Sequence, residues 1–198
     1  MKRKLRLWLL PLWTVWLAGC GYSLQNSHNP LREQYGVSKI YIAPVRNETF
    51  KAGIENLVFN ALVRTIGHHK RVRIVTTRAD ADAELVSSVN MASLSQHSST
   101  TADKLSPLGS GPEDVIVTTV YDANLGCTFR LFVLQGETKG RNIWYSGFDR
   151  QKRFPANSQL GAAGTTSALI NDSEFERALG DLADAMMEDV HESMLAMF

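Results

Sequence analysis

The sequence predicts an α+β fold in which two amphipathic helices pack on one face of a mixed, mainly antiparallel sheet of four to five strands. Three stretches carry that prediction. Ile54, Leu57, Val58, Ala61, Leu62, Thr65 and Ile66 recur at helical spacing. Val115, Val117, Tyr121, Ala123, Leu125, Cys127, Phe129, Leu131 and Val133 all fall on odd positions, with polar Thr118, Asp122, Asn124, Thr128 and Arg130 on even ones. Phe175, Ala178, Leu179, Leu182, Ala183, Met186, Met187, Val190, Met194 and Leu195 form a second helical stripe. Repeats near 3.6 and 2.0 residues distinguish a one-sided helix from a one-sided strand.

The chain opens on Lys2-Arg3-Lys4-Leu5-Arg6, an apolar run from Leu7 to Leu17, and then Ala18-Gly19-Cys20. A basic start, a short apolar segment and small residues are the parts of a secretory signal peptide. The apolar segment falls short of the roughly 20 residues that a membrane span needs. The small-small-Cys ending resembles the bacterial lipobox. That resemblance implies diacylglyceryl modification of Cys20, cleavage before it and N-acylation. Each buried methylene adds about 0.8 kcal/mol of membrane affinity, and two chains suffice for stable anchoring. The organisation read from the sequence is therefore a lipoprotein signal peptide over residues 1–19, lipidated Cys20 with a flexible tether over 20–37, and one α+β domain over 38–198.

Removing residues 1–19 leaves 179 of 198 residues, enough for a single domain with its own core. It also removes four basic side chains and no acid, so 17 basic face 20 acidic ones and the net charge falls from +1 to −3. Nucleic acid demands clustered Lys and Arg, which argues against it as a partner. With Cys20 carrying lipid, Cys127 has no protein partner, so a buried, inert thiol is expected.

The remaining elements follow in order. Ser38 to Val45 reads as a strand whose end Pro44 demotes to an edge or bulge. Arg46-Asn47-Glu48-Thr49 breaks the pattern before the first helix, which Gly67 is expected to close. His68-His69-Lys70-Arg71 follow, where cations complement the helix C-terminus. A metal site at His68-His69 is disfavoured, because adjacent histidines diverge and no third ligand lies nearby. Val72 to Thr76 is a short strand, and in the Ala79-Asp80-Ala81-Asp82 turn the acids are expected to cap backbone amides. Ala83 to His97 is a long strand whose polar end, Ser93 to Thr101, is expected to leave the sheet. Residues 105–113 form a loop without the Lys or following helix of a phosphate-binding loop.

The alternating strand then runs to Val133, open on its polar face, with Gly126 as the place for a bend and Cys127 on the buried face. A turn at 137–142 leads into a strand from Ile143 to Phe154. Lys139, Arg141, Arg150, Lys152 and Arg153 are the one basic concentration of the mature chain. They suit phosphates, or serve as charges that discourage edge pairing. Ser173-Glu174-Phe175-Glu176 reads as a capping box opening the last helix, which His191 flanks.

Nothing in the chain points to catalysis: it has no His-Glu-x-x-His, Gly-x-Ser-x-Gly, Cys-x-x-Cys or phosphate loop. A non-enzymatic role without catalytic residues, metal or cofactor, other than covalent lipid on Cys20, is expected.

Beyond the lipobox the chain continues Cys20-Gly21-Tyr22-Ser23-Leu24. Together with Ile40-Tyr41-Ile42-Ala43-Pro44-Val45-Arg46-Asn47-Glu48-Thr49 before a helix, Ala79 to Leu85 entering a long strand, Ile143-Trp144-Tyr145 and the Ala/Leu-rich last helix, this resembles the LPS-assembly lipoprotein LptE family. The resemblance implies a domain anchored by lipid to the periplasmic face of the outer membrane. It implies assembly with the LptD β-barrel translocon, plugging its lumen while lipopolysaccharide enters the outer leaflet. It also implies lipopolysaccharide contacts through basic residues, for which Lys139, Arg141, Arg150, Lys152 and Arg153 are candidates by chemistry. The alternative is a lipoprotein activator of peptidoglycan synthases, a class with a similar Asn-x-Thr-helix-strand start.

Overall fold

A computed structural model describes residues 29–105, 115–157 and 165–196. Its elements in chain order are α1 (Pro30–Tyr35), β1 (Lys39–Ile42), β2 (Arg46–Asn47), α2 (Ile54–His69), β3 (Arg73–Val75), a 3-10 turn (Arg78–Asp80), β4 (Ala83–Thr101), α3 (Ala102–Leu105), β5 (Ile116–Val133), β6 (Asn142–Pro155) and α4 (Thr165–Leu195). The six strands form one mixed sheet ordered β3-β1-β4-β5-β6, with β2 also beside β4. β1 runs parallel to β3 and β4, and β2 parallel to β4. The long β4–β5 and β5–β6 pairs are antiparallel. The architecture is the α+β one expected, with one more strand and two additional short helices.

The extra strand comes from Pro44. The chain expected to run as one strand from Ser38 to Val45 stops at Ile42 and resumes as Arg46–Asn47, beside Ser88 and Val89. A proline has no N–H for the ladder, so a break at this position is its natural outcome.

The stretch expected to be tether is folded from Asn29 onward. Asn29 caps α1 by accepting the Arg32 N–H, Gly36 closes it in the left-handed region at φ 69°, and Leu31 and Val37 are fully buried in the core. Asn29 Nδ2 also donates to the Arg71 carbonyl at 2.7 Å, tying this start to the segment after α2. The described fold thus includes the nine residues before position 38, because two apolar side chains there have a core to enter.

The polar end of β4 does not leave the sheet. Its pairing with β5 continues to Thr101↔Ile116. The alternation of β5 reaches that far and supplies backbone partners along it, interrupted only at Asn90 and His97.

The buried faces of α2 and α4 meet the sheet on one side, with Val58, Leu62 and Ile66 of α2 and Leu179, Met186 and Val190 of α4 in the same core as Leu85, Leu125, Phe129 and Leu131. Burial of a large apolar side chain stabilises by about 1.5–3 kcal/mol. The methionine stripe belongs to that core: Met186, Met187 and Met194 are all fully buried.

Both helix ends depart from expectation. α2 passes through Gly67 and stops at Lys70, which takes the left-handed conformation at φ 53°. Gly67 lies within the last turn of the helix, where a Cβ would make only ordinary contact, 3.9 Å from Ile74 Cδ1, so nothing at this position requires a glycine or ends the helix. α4 begins at Thr165, so Ser173 is no cap: its hydroxyl donates back to the Ile170 carbonyl at 2.9 Å, the bond a mid-helix serine makes.

Candidate functional site

With both long helices on one face, the other face of β4, β5 and β6 carries the even-numbered side chains of β5. It bears separate polar cross-strand pairs, joined near its far end by Thr119, which the β4–β5 register shift at Ser98/Ser99 leaves unpaired. Ser88 Oγ and Thr128 Oγ1 lie 2.7 Å apart, Ser98 Oγ and Thr119 Oγ1 2.8 Å apart, and Asn124 Nδ2 donates to Ser95 Oγ at 3.2 Å. Cross-strand pairs of this kind occur because facing residues on an antiparallel ladder bring their Cβ atoms to about 5 Å.

At one end of this face a concavity of about 280 Å³ is lined by Arg46, Glu48, Ser88, Thr128, Arg130 and Phe132. β2 supplies Arg46, and Glu48 follows it, its N–H held by the Val89 carbonyl at 2.9 Å. Arg130 stands over Tyr145, its guanidinium 5.4 Å from the ring centroid, a cation–π contact that holds the charge over the sheet. Arg46 and Arg130 with two hydroxyls form a cationic, hydrogen-bonding recess.

Farther along lies a cluster that sequence reasoning missed. Asp122, expected on the open polar face, is only 6% exposed. His97 Nδ1 sits 2.9 Å from its Oδ2, and Arg153 Nε donates to its Oδ1 at 3.0 Å. β4 shifts register between Gln96 and Ser98, so His97 is the extra residue of a bulge, and bulges commonly re-aim a side chain. Burial pushes the Asp122 carboxyl up, but the bonds from His97 and Arg153 outweigh it and hold the group below its ordinary value of 3.8. The cluster covers a buried carboxylate and ties β4, β5 and β6 together. The one signal in the sequence was an Asp and an Arg within otherwise regular strands, and alternation does not say that they meet.

The five basic candidates do not form one patch. Lys139 and Arg141 lie in and beside the β5–β6 turn, where Gly136 and Gly140 both take φ 82°. Arg150, Lys152 and Arg153 lie nine or more residues along β6, about 30 Å away at roughly 3.3 Å per residue. Arg150 pairs with Asp189 and Lys152 with Asp181, both on α4, whereas Arg153 turns to the opposite face and pairs with Asp122. The separation arises because β6 is extended and alternates, so neighbours in sequence face opposite sides.

Cys127 is 1% exposed and unpaired, as expected, and burial, with the nearby Asp149 charge, pushes its thiol up to about 12. Asp82 caps backbone amides as expected, but those of a distant segment and not of its own turn: it accepts the Ser38 and Lys39 N–H groups at 2.9 Å each. His68 and His69 diverge, their planes 81° apart, and His69 turns toward Glu188 of α4. Instead of flanking its stripe, His191 is buried within it. Cys20 lies outside the described residues. No helix among the described residues is long and apolar enough to cross a membrane.

No family model matches the chain, and no curated protein sequence matches it. Among solved structures, it is similar to protein XCC0632 from Xanthomonas campestris, with 10% identity, 80% of this chain and 84% of that one covered, and a TM-score of 0.47. It is similar to an uncharacterized lipoprotein B from Nitrosomonas europaea, with 11% identity, 81% and 83% covered, and a TM-score of 0.45. It is also similar to rare lipoprotein B from Shewanella oneidensis, with 14% identity, 79% and 94% covered, and a TM-score of 0.40. At that distance these likenesses assign neither a family nor a function to the chain.

Proposed function

We propose that the chain is a lipid-anchored, non-enzymatic subunit that docks its open sheet face against the polar interior of a β-barrel. On this reading it serves in lipopolysaccharide insertion at the outer membrane, as the resemblance to the LptE family implies. The observation that carries the reading is the contrast between the two sheet faces. One is closed by α2 and α4, and the other presents the hydrogen-bonded pairs Ser88–Thr128 and Asn124–Ser95 together with Arg130, without a helix over it among the described residues. Barrel interiors are polar, and a rigid polar sheet matches such a wall without exposing apolar area. The lipobox at Cys20 supplies the anchor. The recess between Arg46 and Arg130, more than the β6 basic residues already paired with acids, has the charge and hydroxyls to meet a phosphate of the lipid.

The test is affinity purification of the full-length chain from detergent-solubilised outer membranes. A large β-barrel protein should co-purify in stoichiometric amount, and replacing Arg130 with Glu should reduce its recovery. Recovery of a penicillin-binding protein, or of no barrel, would sink the proposal.

A further inference from the structure

The charges of the domain are not spread evenly. Residues 29–82 carry nine basic and five acidic side chains, whereas residues 165–196, which hold α4, carry one basic and eight acidic. Arg64, Arg150 and Lys152 answer those acids across the fold, each pairing with an aspartate of α4. At one end of the sheet the cations have no such partner.

That end is where the described chain begins. Asn29 is bonded to the Arg71 carbonyl, the Arg73 N–H donates to the Ser38 carbonyl at 2.9 Å, and β1 and β3 set Lys39 opposite Arg73. The β5–β6 turn closes the same end, because the Leu134 N–H donates to the Asp82 carbonyl at 2.8 Å and the Asp82 carboxylate holds the start of β1. Lys39, Lys70, Arg73, Lys139 and Arg141 therefore gather near the start of α1, all exposed and none in an ion pair among the described residues. Acids share this end, but Asp82 is bound to backbone amides, Glu84 to Arg78 and Glu188 to His69.

We propose that this basic end rests on the anionic headgroups of the leaflet that holds the Cys20 acyl chains, with β4 standing away from the membrane. Nine residue steps separate Cys20 from Asn29 and span about 30 Å when fully extended. The tether keeps the cations close to the headgroups, so a contact too weak for a free protein becomes intramolecular. Lys and Arg are attracted to an anionic surface within a Debye length, about 8–10 Å. The same surface repels the acids of α4, so the two effects orient the domain as well as hold it. The exposed apolar side chains that would favour a protein partner, Met91, Leu94 and Ile116, lie towards the other end of β4 and β5. Ser99 stands about 50 Å along β4 from Ala83 at roughly 3.3 Å per residue. The inference rests on the Cys20 anchor and not on docking to a barrel.

Headgroup quenching of the full lipidated chain in vesicles tests it. Cys20 carries lipid and Cys127 is buried, so a fluorophore goes to an introduced cysteine at an exposed position, Asn142→Cys at the basic end or Ser99→Cys at the far end. In phosphatidylcholine vesicles with one-third phosphatidylglycerol and a nitroxide headgroup lipid, the label at 142 should be quenched about fivefold more than that at 99. In phosphatidylcholine alone the difference should fall below about twofold. Lys39→Glu with Arg73→Glu, and separately Lys139→Glu with Arg141→Glu, should each reduce it in the anionic vesicles, and the turn pair decides should the strand pair fail to fold. Equal quenching at the two sites, or a difference that persists in neutral lipid or in the turn-pair variant, would overturn the proposal. A chain that does not float with neutral vesicles would overturn the anchor reading, and this inference with it.

Discussion

His191 of α4 lies face to face with His69 at the end of α2, their ring centroids 4.0 Å apart and their planes 15° from parallel. His69 Nε2 is 2.8 Å from Glu188 Oε2, whereas both ring nitrogens of His191 are buried without a hydrogen-bond partner among the described residues. Such a group is costly, and more so when charged.

The groups facing His191 are His69, Arg71 and Glu188. Burial, then the charges of His69 and Arg71, push it down to about 4 from 6.5, against an opposing pull from Glu188. A histidine with a depressed folded value is stabilising above its unfolded value, and the stability is lost as pH falls from about 6.5 towards 4. The loss amounts to about 2–3 kcal/mol at 1.36 kcal/mol per unit. His191→Leu should therefore equal or exceed the unaltered chain in stability at pH 7. It should lose much less between pH 6.5 and 4.5, as urea midpoints at several pH values would show.

Asp122→Asn keeps the shape of the His97–Asp122–Arg153 cluster and removes its charge. Because the carboxyl is held below 3.8, its contribution is present above that value and disappears as pH falls below it. The variant should melt below the unaltered chain at pH 6, and the gap should close under strongly acidic conditions. A pH-independent gap would mean that packing, not the ion pairs, supports the cluster.

Gly126 is where β5 faces the β4 irregularity between Val89 and Met91. A Cβ there would sit 2.5 Å from Asp149 Oδ1 and 3.1 Å from Met91 Cβ. The carboxylate can swing away, but a Cβ on a paired strand moves only with its backbone. Gly126→Ala should cost about 1–2 kcal/mol by overpacking, read as a lower urea midpoint with unchanged slope.

Asn47 organises the loop that presents the fully exposed Phe50. Its Oδ1 accepts from the N–H and hydroxyl of Thr49 at 2.8 Å each, and its Nδ2 donates to the Lys51 carbonyl and Glu55 Oε2 at 2.9 Å each. Asn47→Ala should cost about 1–3 kcal/mol, given about 0.5–1.5 for each partly buried bond and some replacement by water. Amide exchange should accelerate over residues 48–53 and little elsewhere.

Cys20→Ala should release the domain from the membrane without unfolding it, because the core described from Asn29 onward, with Leu31 in it, is built without Cys20. Cell fractionation with circular dichroism of the released protein checks this, and loss of folded protein would contradict it.

Local pattern by itself determined the α+β class, both long helices, the buried side of β5 and the inert burial of Cys127. These follow from periodicity, which each residue carries with it. It also marked Pro44 as the weak point of the first strand, since a proline acts on its own backbone, whereas the amides that Asp82 caps, those of Ser38 and Lys39, come from a distant strand. The folded start at Leu31, the persistence of β4 to Thr101, the passage of α2 through Gly67 and the early start of α4 were decided only by the tertiary structure. For the first two a distant element supplies the partner: a core for Leu31 and the β5 ladder for β4. The candidate site divides the same way. Alternation gave β5 a polar side, but the Arg46–Arg130 recess, the Asp122 cluster and the His69–His191 stack join residues from different strands or helices. The same packing scattered the basic residues that sequence had gathered, since a strand sends adjacent side chains to opposite faces and its length sets Lys139 far from Arg153.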